Sequence, residues 1–372
     1  MQICICRVRV EYNFDEIVIH ARTGLNPRKN FILGKGNNRY ITIKNIKNNS
    51  LVIDDNTDFI DDEAVDMIHK RSQIKKGDIL FASIGRFGDT YIIEEEPTGW
   101  DINESVFAFT VDEKLIRQKY FHYLFKHKET IRQLTKNSSG STFKSIKMSQ
   151  LKKMRFDLPD LNSQDIIVSL LDCVTNIISI YEQELLLLDE LVKARFMEMF
   201  GDPITNDKHL KLQSLFDLSV LKAGKSIKTG ELSEVCDDET LMYPCFGGNG
   251  IRGYINRYSH DGEYPVIGRQ GAWAGNVNYA TGKFYATEHA IVVTPKVELN
   301  TVWYYYGLKY IDLTRFQTGA AQPGLAVDKL NKVIIPFPTI KLQNQFASFV
   351  EEIDKSRLLS NHSLFLIKSI TF

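Results

Sequence analysis

The sequence predicts a mixed α+β protein in which two similar globular domains alternate with two long helices. Three observations lead to this prediction. Apolar residues follow a heptad pattern through the middle of the chain, from Ile167 to Met199. A stretch of about 180 residues occurs twice, and a repeat of that length indicates domain duplication. The remaining segments are short, alternate apolar with polar residues and are separated by Gly, Asn, Asp and Pro, as strands and turns are.

The composition is that of an ordinary globular protein, and 372 residues suit two domains with connecting helices. The formal net charge is +0, so any surface for a polyanion must be local. Cysteines occur at positions 4, 6, 173, 236 and 245 without zinc-ligand spacing, and we expect a reducing, cytoplasmic setting without bound zinc. No continuous apolar run reaches about 18 residues, so we expect neither a membrane span nor a signal peptide.

The first domain is predicted to cover residues 1–157. Tyr40–Ile46 has the pattern of a strand, and Ile79–Ile84 has that of a short apolar strand leading into Gly85-Arg86-Phe87-Gly88. Leu115–Lys136 has the pattern of a helix. These elements predict a small α+β domain with a glycine turn at the end of one strand.

Charge is unevenly distributed in this domain. Acidic residues cluster between Asp54 and Asp66, and we expect this face to point away from any phosphate backbone. Six basic residues and no acid lie between Lys136 and Arg155, the densest positive stretch of the domain. The stretch either contacts phosphates or is an ordinary solvated surface, and the residues alone leave both interpretations open.

The central helix is predicted to occupy residues 158–202. Pro159 marks its entry, Asn162 or Ser163 can cap it, and Gly201-Asp202-Pro203 ends it. About 38 helical residues would form a rod of roughly 57 Å. Leu170, Ile177 and Leu191 lie beside the heptad seam and widen it. The seam predicted to pair with another helix comprises Ile167, Leu171, Val174, Ile178, Tyr181, Leu185, Leu188 and Val192, and then continues through Arg195 to Met199.

The second domain is predicted to cover residues 203–337, with Leu215–Leu218 as an early element. Phe246–Tyr254 is a glycine-rich loop, and Tyr264–Ile267 is a strand that leads into Gly268-Arg269-Gln270-Gly271. Arg can fork onto a guanine edge and Gln onto an adenine edge in the DNA major groove. The alternative is a tight turn whose Arg pairs with a local carboxylate.

Two further segments of this domain invite functional interpretations. Trp303–Tyr306 could stack on bases, but its helical register favours core packing. Ala223-Gly224-Lys225-Ser226 resembles the end of a phosphate-binding loop, but Ser219 stands where that motif requires its first glycine. We therefore expect no nucleotide site. Gln322, in the loop Gln317–Gly324, is a candidate contact to a base or a phosphate.

The repeat relates the two halves of the chain in detail. Adding 179 to residue numbers between about 139 and 176 gives a gap-free match. Upstream, the offset drifts, and Gly85-Arg86-x-Gly88 matches Gly268-Arg269-x-Gly271. The matched positions in the gap-free part include Gly140 with Gly319, Leu151 with Leu330, Pro159 with Pro338, Leu161 with Ile340 and Gln164 with Gln343.

Catalytic motifs are missing from the sequence. There is no DNA amino-methyltransferase motif, no Glu-x-Lys element of a metal nuclease, no His-x-His or His-x-x-x-His spacing and no nucleophile elbow. We therefore expect a non-catalytic protein that binds no cofactor itself.

The duplicated arrangement, the apolar-Pro-x-apolar-x-x-Gln entry into each helix and the helix end LLLLDELVKARFMEMFGDP resemble the specificity subunit of a Type I restriction–modification enzyme. A second block, from Phe246 to Pro295, resembles a common target-recognition domain of that family. The resemblance implies that each domain reads one half of a bipartite target in double-stranded DNA. It also implies that the two long helices form an antiparallel coiled coil with a pseudo-twofold axis, which sets the spacing. Residues expected to contact DNA are Lys44, Arg86, Lys144, Lys147, Lys152, Asn249, Arg252, Arg269, Gln270, Trp273 and Gln322.

The same resemblance implies two modification subunits that carry S-adenosylmethionine, and restriction–translocase subunits that use ATP and Mg²⁺. The alternative is a coiled-coil scaffold protein without DNA sequence specificity. The C-terminal helix, residues 338–372, starts at about Gln343 and is shorter than the central one. We therefore expect the central helix to lack an intrachain partner around Leu188–Met199 and to be less stable there.

Overall fold

A computed structural model describes residues 9–47, 50–85, 88–138, 144–234, 236, 242–319 and 323–371, without the side chains of residues 229, 370 and 371. The chain divides into two compact units. Unit 1 comprises residues 1–180 and 364–372, and unit 2 comprises residues 181–363. Each unit therefore contains a part of both long helices.

Unit 1 combines short antiparallel strands with short helices. Its strands are β1 (Val10–Asn13), β2 (Val18–Thr23), β3 (Asn38–Ile41), β4 (Ile46–Lys47), β5 (Ser50–Leu51), β6 (Asp58–Ile60), β7 (Ile79–Ala82), β8 (Thr90–Ile92), β9 (Trp100–Ile102), β10 (Val106–Val111) and β11 (Arg155–Leu158). Its helices are α1 (Phe14–Ile17), α2 (Asp62–Ser72), α3 (Gln118–Leu124), α4 (Lys128–Asn137), α5 (Met148–Leu151) and the first half of α6 (Leu161–Phe200).

The central sheet of unit 1 has the strand order β2-β10-β7-β8, and β1 pairs with β11 beside it. A three-stranded sheet, β6-β3-β9, and the ribbon β4-β5 complete the unit. Phe14, Phe81, Phe109 and Phe121 are fully buried in its core, where the rings of Phe14 and Phe109 meet edge to face at 5.2 Å. Burial of these large rings is the main apolar contribution to the stability of the unit.

Unit 2 repeats this plan. Its strands are β12 (Leu212–Ser214), β13 (Ser219–Ala223), β14 (Tyr243–Gly247), β15 (Gly250–Ile255), β16 (His260–Asp261), β17 (Tyr264–Gly268), β18 (Val277–Ala280), β19 (Lys283–Ala286), β20 (Ala290–Pro295) and β21 (Ile334–Pro336). Its helices are α7 (Leu215–Leu218), α8 (Thr301–Tyr310), the second half of α6 and most of α9 (Ile340–Thr371).

The sheet order β13-β20-β17-β18 and the pair β12-β21 reproduce the central sheet and the β1-β11 pair of unit 1. The registers also agree, because Ala108 lies opposite Arg22 and Leu80, and Val292 lies opposite Lys222 and Val266. Unit 2 differs in its second sheet, which has the order β15-β14-β19-β16. The predicted α+β class with duplicated domains is confirmed.

One buried glutamine in each unit shows the duplication at the level of single atoms. Gln164 and Gln343 are both fully buried at the start of a long helix. Gln164 donates to the carbonyl oxygen of Pro159 (2.9 Å), and Gln343 donates to that of Pro338 (2.9 Å). The backbone N–H of Arg117 donates to Gln164 Oε1, and that of Asn300 donates to Gln343 Oε1, at 2.9 and 2.8 Å. The predicted correspondence of Gln164 with Gln343 in the repeat is therefore confirmed.

Helix α6 begins and ends close to the predicted positions, but its cap differs. Asp160, and not Asn162 or Ser163, accepts from the backbone N–H of Ser163 (3.0 Å) and also from its hydroxyl (2.7 Å). These bonds hold the pKa of the Asp160 carboxyl below its usual value. By length and composition alone α6 could also cross a membrane, and 11% of its most apolar window is buried.

The two long helices pack antiparallel within unit 2. The rings of Phe200 and Phe346 lie 5.6 Å apart, Arg195 lies over the ring of Phe349, and Arg357 donates to Asp189 at 2.5 Å. The last turns of α6 therefore meet the first turns of α9, where Val192, Phe196 and Phe200 are buried. The prediction that Leu188–Met199 lacks a partner is wrong. In the antiparallel pair that the family resemblance implies, the first turns of α9 lie beside the last turns of α6, so they cover this part of α6.

The predicted seam lies on the less exposed side of α6. All eight of the residues that were expected to pair with another helix are buried or half-buried. Leu170, Ile177 and Leu191, which were expected to widen the seam, are exposed in this chain. Helix α9 starts at Ile340 rather than Gln343, and 32 of its residues are described, against 40 in α6.

Two shorter elements differ from prediction. Leu115–Lys136 forms two helices, α3 and α4, because the chain turns at Phe125–His127 and buries Phe125 against Phe81 and Phe121. The strand expected over Tyr40–Ile46 ends at Ile41, where Asn45 accepts from the backbone N–H of Thr42 and starts a turn. In both cases tertiary packing and side-chain hydrogen bonds override the local pattern.

Candidate nucleic-acid interface

Three loops of unit 2 meet at the end of strand β17. The turn Gly268–Asn276 is closed by two backbone bonds of 2.8 Å, from Gly268 N–H to Asn276 and from Gly275 N–H to Gly268. The segment 323–325 lies against this turn, since Gly271 donates to Pro323 (2.9 Å) and Leu325 donates to Arg269 (2.7 Å). These bonds fix the backbone on both sides of Gln270.

The third loop is the hairpin turn between β14 and β15, which contains Gly247, Gly248, Asn249 and Gly250. A Cβ atom on Gly268 would lie 2.3 Å from the carbonyl oxygens of Gly248 and Trp273, so only glycine allows this packing. Asn276 also donates to Asn249 Oδ1 at 3.3 Å. The loops that the sequence analysis selected separately therefore form one surface.

The side chains on this surface differ in their availability. Asn249, Arg252 and Gln270 are exposed, and Trp273 keeps 54% of its surface exposed on the short 3₁₀ turn Gly271–Trp273. The ring of Trp273 is therefore accessible on the same turn as Gln270. Gln322 lies outside the described residues, although Gly319 and Pro323 beside it are described.

Arg269 is placed differently from the prediction that it forks onto a base. It is half-buried, and its guanidinium donates to the carbonyl oxygen of Glu288 at 3.4 Å. The partner of Arg269 is therefore the backbone carbonyl of Glu288, and not a side-chain carboxylate as the alternative interpretation expected. Gln270, whose side chain is exposed, is therefore the better candidate for reading a base edge.

The corresponding turn of unit 1 has the same backbone frame. Ile146 donates to Ser83 (2.9 Å) and Gly85 donates to Lys144 (3.1 Å), as Leu325 and Gly271 do in unit 2. Gly85 and Gly271 both have positive φ, at 73° and 77°, which glycine adopts without strain. The structural equivalent of Gly85 is therefore Gly271, and the sequence match of Gly85 with Gly268 was wrong by three residues. Arg86 lies outside the described residues.

Only some of the lysines of unit 1 that were expected to contact DNA lie close to one another. Lys44 lines a shallow depression of about 380 Å³ with Ile84 and Asp54, next to the turn that holds Lys144. Asp54, at the edge of the acidic stretch, therefore lies beside a candidate phosphate contact, contrary to expectation. Lys144 and Lys147 are exposed, whereas Lys152 forms an ion pair with Asp15 at 3.0 Å. Lys152 is thus a weaker candidate than predicted.

The buried titratable groups serve the fold. Burial lowers the pKa of His122 to about 4, so it is neutral at neutral pH and shares a hydrogen with Thr90 at 2.8 Å. Burial also raises the pKa of the Cys245 thiol, which makes it a poor nucleophile. Among the described residues, no group of three or more His, Cys, Asp and Glu side chains could hold a metal ion.

Comparisons with known proteins point to one family. The family model of the Type I restriction modification DNA specificity domain matches residues 12–189 and 208–367. The EcoprrI type I restriction enzyme specificity subunit of Escherichia coli is 34% identical over 245 residues, which cover 63% of this chain and 60% of that protein.

Two solved structures share the fold. The crystal structure of a Type I restriction–modification S subunit from M. genitalium superposes with a TM-score of 0.59 at 16% identity, over 100% of this chain and 96% of that one. A chain from a structural study of the assembly and conformational transition of the type I restriction–modification system superposes with a TM-score of 0.58 at 14% identity, over 98% and 96% of the two chains.

Proposed function

The chain belongs to the Type I restriction–modification DNA specificity family, and from this membership we propose that it selects the DNA sequence on which such a system acts. The observation that carries the proposal is the surface at the end of β17. There, exposed Gln270 and Trp273 stand on a backbone that three loops hold in place. A fixed backbone matters because base readout requires side chains held close to one geometry.

The chemistry of the exposed side chains suits DNA. An amide such as that of Gln270 can accept and donate to adenine at once, and a good bidentate contact is worth about 1–3 kcal/mol of discrimination. The ring of Trp273 can stack on a base or insert beside one. Arg252, Lys144 and Lys147 are exposed cations that position the duplex through its phosphates.

The duplication extends the proposal to a bipartite target. Each unit reads one half, because each presents a turn with the same backbone frame. Helices α6 and α9 serve as the spacer that sets the separation of the half-sites, as dimer geometry does in other DNA-binding proteins. The chain performs no chemistry in this scheme.

Other subunits supply the chemistry in the proposed complex. Two modification subunits carry S-adenosylmethionine, and they flip and methylate the target adenine. Restriction–translocase subunits use ATP and Mg²⁺. The complex acts in the cytoplasm, where the host DNA is.

A binding experiment tests the reading role of Gln270. A target duplex is first selected from a random pool with the purified chain, and affinity is then measured against salt concentration. Gln270→Ala is expected to weaken target binding about tenfold or more and to leave non-specific binding unchanged. Arg252→Ala is expected to weaken both and to reduce the salt slope by about one.

Gln345→Ala serves as the matched control, because Gln345 is exposed and belongs to α9 rather than to any of the three loops at the end of β17. If the chain selects no sequence and shows no salt slope, the proposal fails and a scaffold role is favoured. Equal loss of affinity in Gln345→Ala and Gln270→Ala would contradict the assignment of Gln270.

A further inference from the structure

A fourth segment of unit 2 lies beside the three loops at the end of β17. It is the turn between β19 and β20, residues 287–289, and the backbone N–H of Arg269 donates to its His289 carbonyl oxygen at 2.9 Å. A Cβ atom on Gly248 would lie 3.7 Å from the same carbonyl oxygen, so this turn also packs on the hairpin turn. Glu288, at the centre of the turn, therefore borders the surface that carries Gln270.

Unit 1 contains the same turn between β9 and β10. There the backbone N–H of Ser83 donates to the carbonyl oxygen of Ser105 at 3.0 Å, which is the counterpart of the bond just described in unit 2. Glu104 therefore occupies in unit 1 the place that Glu288 occupies in unit 2. The sequence repeat matches the same two glutamates, because Glu104…Thr110 aligns with Glu288…Thr294. Each unit thus places one glutamate next to its glycine turn.

The two glutamates share an unsatisfied oxygen. In the part of the chain that the structure describes, Oε2 of Glu104 and Oε2 of Glu288 are buried and have no hydrogen-bond partner. Both side chains are only half-buried, and that of Glu288 keeps 39% of its surface exposed, with Oε1 at 3.4 Å from His289 Nε2. A carboxylate oxygen buried without a donor is unfavourable. Each carboxylate can therefore turn outward to a donor without losing a hydrogen bond of Oε2.

The chemistry of a carboxylate selects among the four bases. An ionised carboxylate accepts hydrogen bonds and donates none. In the major groove, guanine and thymine present acceptors, and adenine presents an acceptor beside its amino group. Cytosine presents the N4 amino donor with no acceptor beside it. A glutamate at this surface therefore attracts cytosine and repels guanine and thymine.

We propose that Glu104 and Glu288 are specificity-determining residues, one in each unit, and that each accepts a hydrogen bond from the N4 amino group of a cytosine in its half of the target. The assignment rests on the proposed DNA-reading function and adds a residue and a base to each half. Two observations carry it, the equivalent positions of the glutamates beside the two glycine turns and their unsatisfied oxygens. Gln270 and Glu288 then read different bases of one half-site.

Exchange of each glutamate for glutamine tests the proposal, because glutamine has the same shape but pairs with adenine. Targets are selected from a random duplex pool with the full-length wild-type chain and with each variant. We expect Glu288→Gln to change one cytosine to adenine in one half of the selected target. Glu104→Gln is expected to make the same change in the other half. An unchanged preference in either variant would overturn the assignment of that residue.

A base analogue tests the contact without altering the protein. At each assigned position, the cytosine of the selected duplex is replaced by an analogue that lacks the 4-amino group. The wild-type chain is expected to bind this duplex at least tenfold more weakly, since the donor is missing. Glu288→Ala is expected to bind the two duplexes that differ at its own position with equal affinity. Equal binding of both duplexes by the wild-type chain would contradict the proposed hydrogen bond.

Glu298→Gln is the matched control, because Glu298 is exposed and follows the opposite end of β20. It is expected to select the wild-type target, and circular dichroism verifies that every variant folds. A wild-type target that both Glu104→Gln and Glu288→Gln still select would refute the role of the glutamates and leave the proposed function standing. Selection of no sequence by the wild-type chain would refute both.

Discussion

Replacement of Gly268 by alanine is expected to abolish DNA reading by unit 2 and to leave reading by unit 1 intact. The added Cβ would lie 2.3 Å from two carbonyl oxygens, those of Gly248 and Trp273. Both belong to backbone that is held by other hydrogen bonds, so the hairpin turn and the 3₁₀ turn must move apart. Gln270 and Trp273 then lose their positions. We expect about a 100-fold loss of affinity, equivalent to one or two base contacts at roughly 1–3 kcal/mol each.

Footprinting on a target duplex measures this effect directly, because it reports each half of the target separately. Protection is expected to disappear at one half and to persist at the other. Gly230→Ala is the matched control, since a Cβ at Gly230 meets no atom within 4 Å. Unchanged protection of both halves in Gly268→Ala would show that the three-loop surface does not read DNA.

Replacement of Phe346 by alanine is expected to lower the free energy of unfolding by about 3–5 kcal/mol, the usual cost of deleting a buried ring. Phe346 is fully buried between Phe196, Phe200 and Tyr306, with ring centroids 5.4 to 5.6 Å away. These contacts join α6, α8 and α9, and the cavity left by alanine cannot close without moving a whole helix. Chemical denaturation followed by circular dichroism measures the change.

Phe365→Ala provides the control for this prediction. Phe365 lies on the same helix, α9, but is 68% exposed, so its replacement should change the free energy of unfolding by no more than about 0.5 kcal/mol. Similar destabilisation by the two substitutions would contradict the packing of α9 on α6. A small effect of Phe346→Ala alone would show that the aromatic cluster contributes little to stability.

Features governed by local pattern or by the internal repeat were predictable from the sequence. The heptad seam of α6, the correspondence of Gln164 with Gln343, and the core packing of Trp303, Tyr304 and Tyr306 all match the structure. Each depends on a periodicity or a fixed spacing from a proline, which the chain encodes within a few turns. The internal repeat also predicted the duplicated domain architecture, because two copies of one sequence pattern indicate two copies of one domain.

Features governed by three-dimensional arrangement were not predictable in the same way. A heptad seam does not encode which turns of two antiparallel helices of unequal length meet, so Leu188–Met199 was wrongly expected to lack a partner, although the first turns of α9 cover it. The sequence alignment of the two halves matched Gly85 with Gly268. In the structure, Gly85 corresponds to Gly271, because both adopt positive φ. Nothing in the spacing showed that the hairpin turn at Asn249 packs on the turn at Gln270.

The most direct test of DNA sequence selection is a genome-wide map of methylated adenines in the host, with the gene intact and with the gene deleted. Our account predicts that one bipartite motif is methylated in the intact strain and loses its methylation completely in the deletion strain. Persistence of every methylated motif after deletion would contradict the claim that this chain chooses the DNA target.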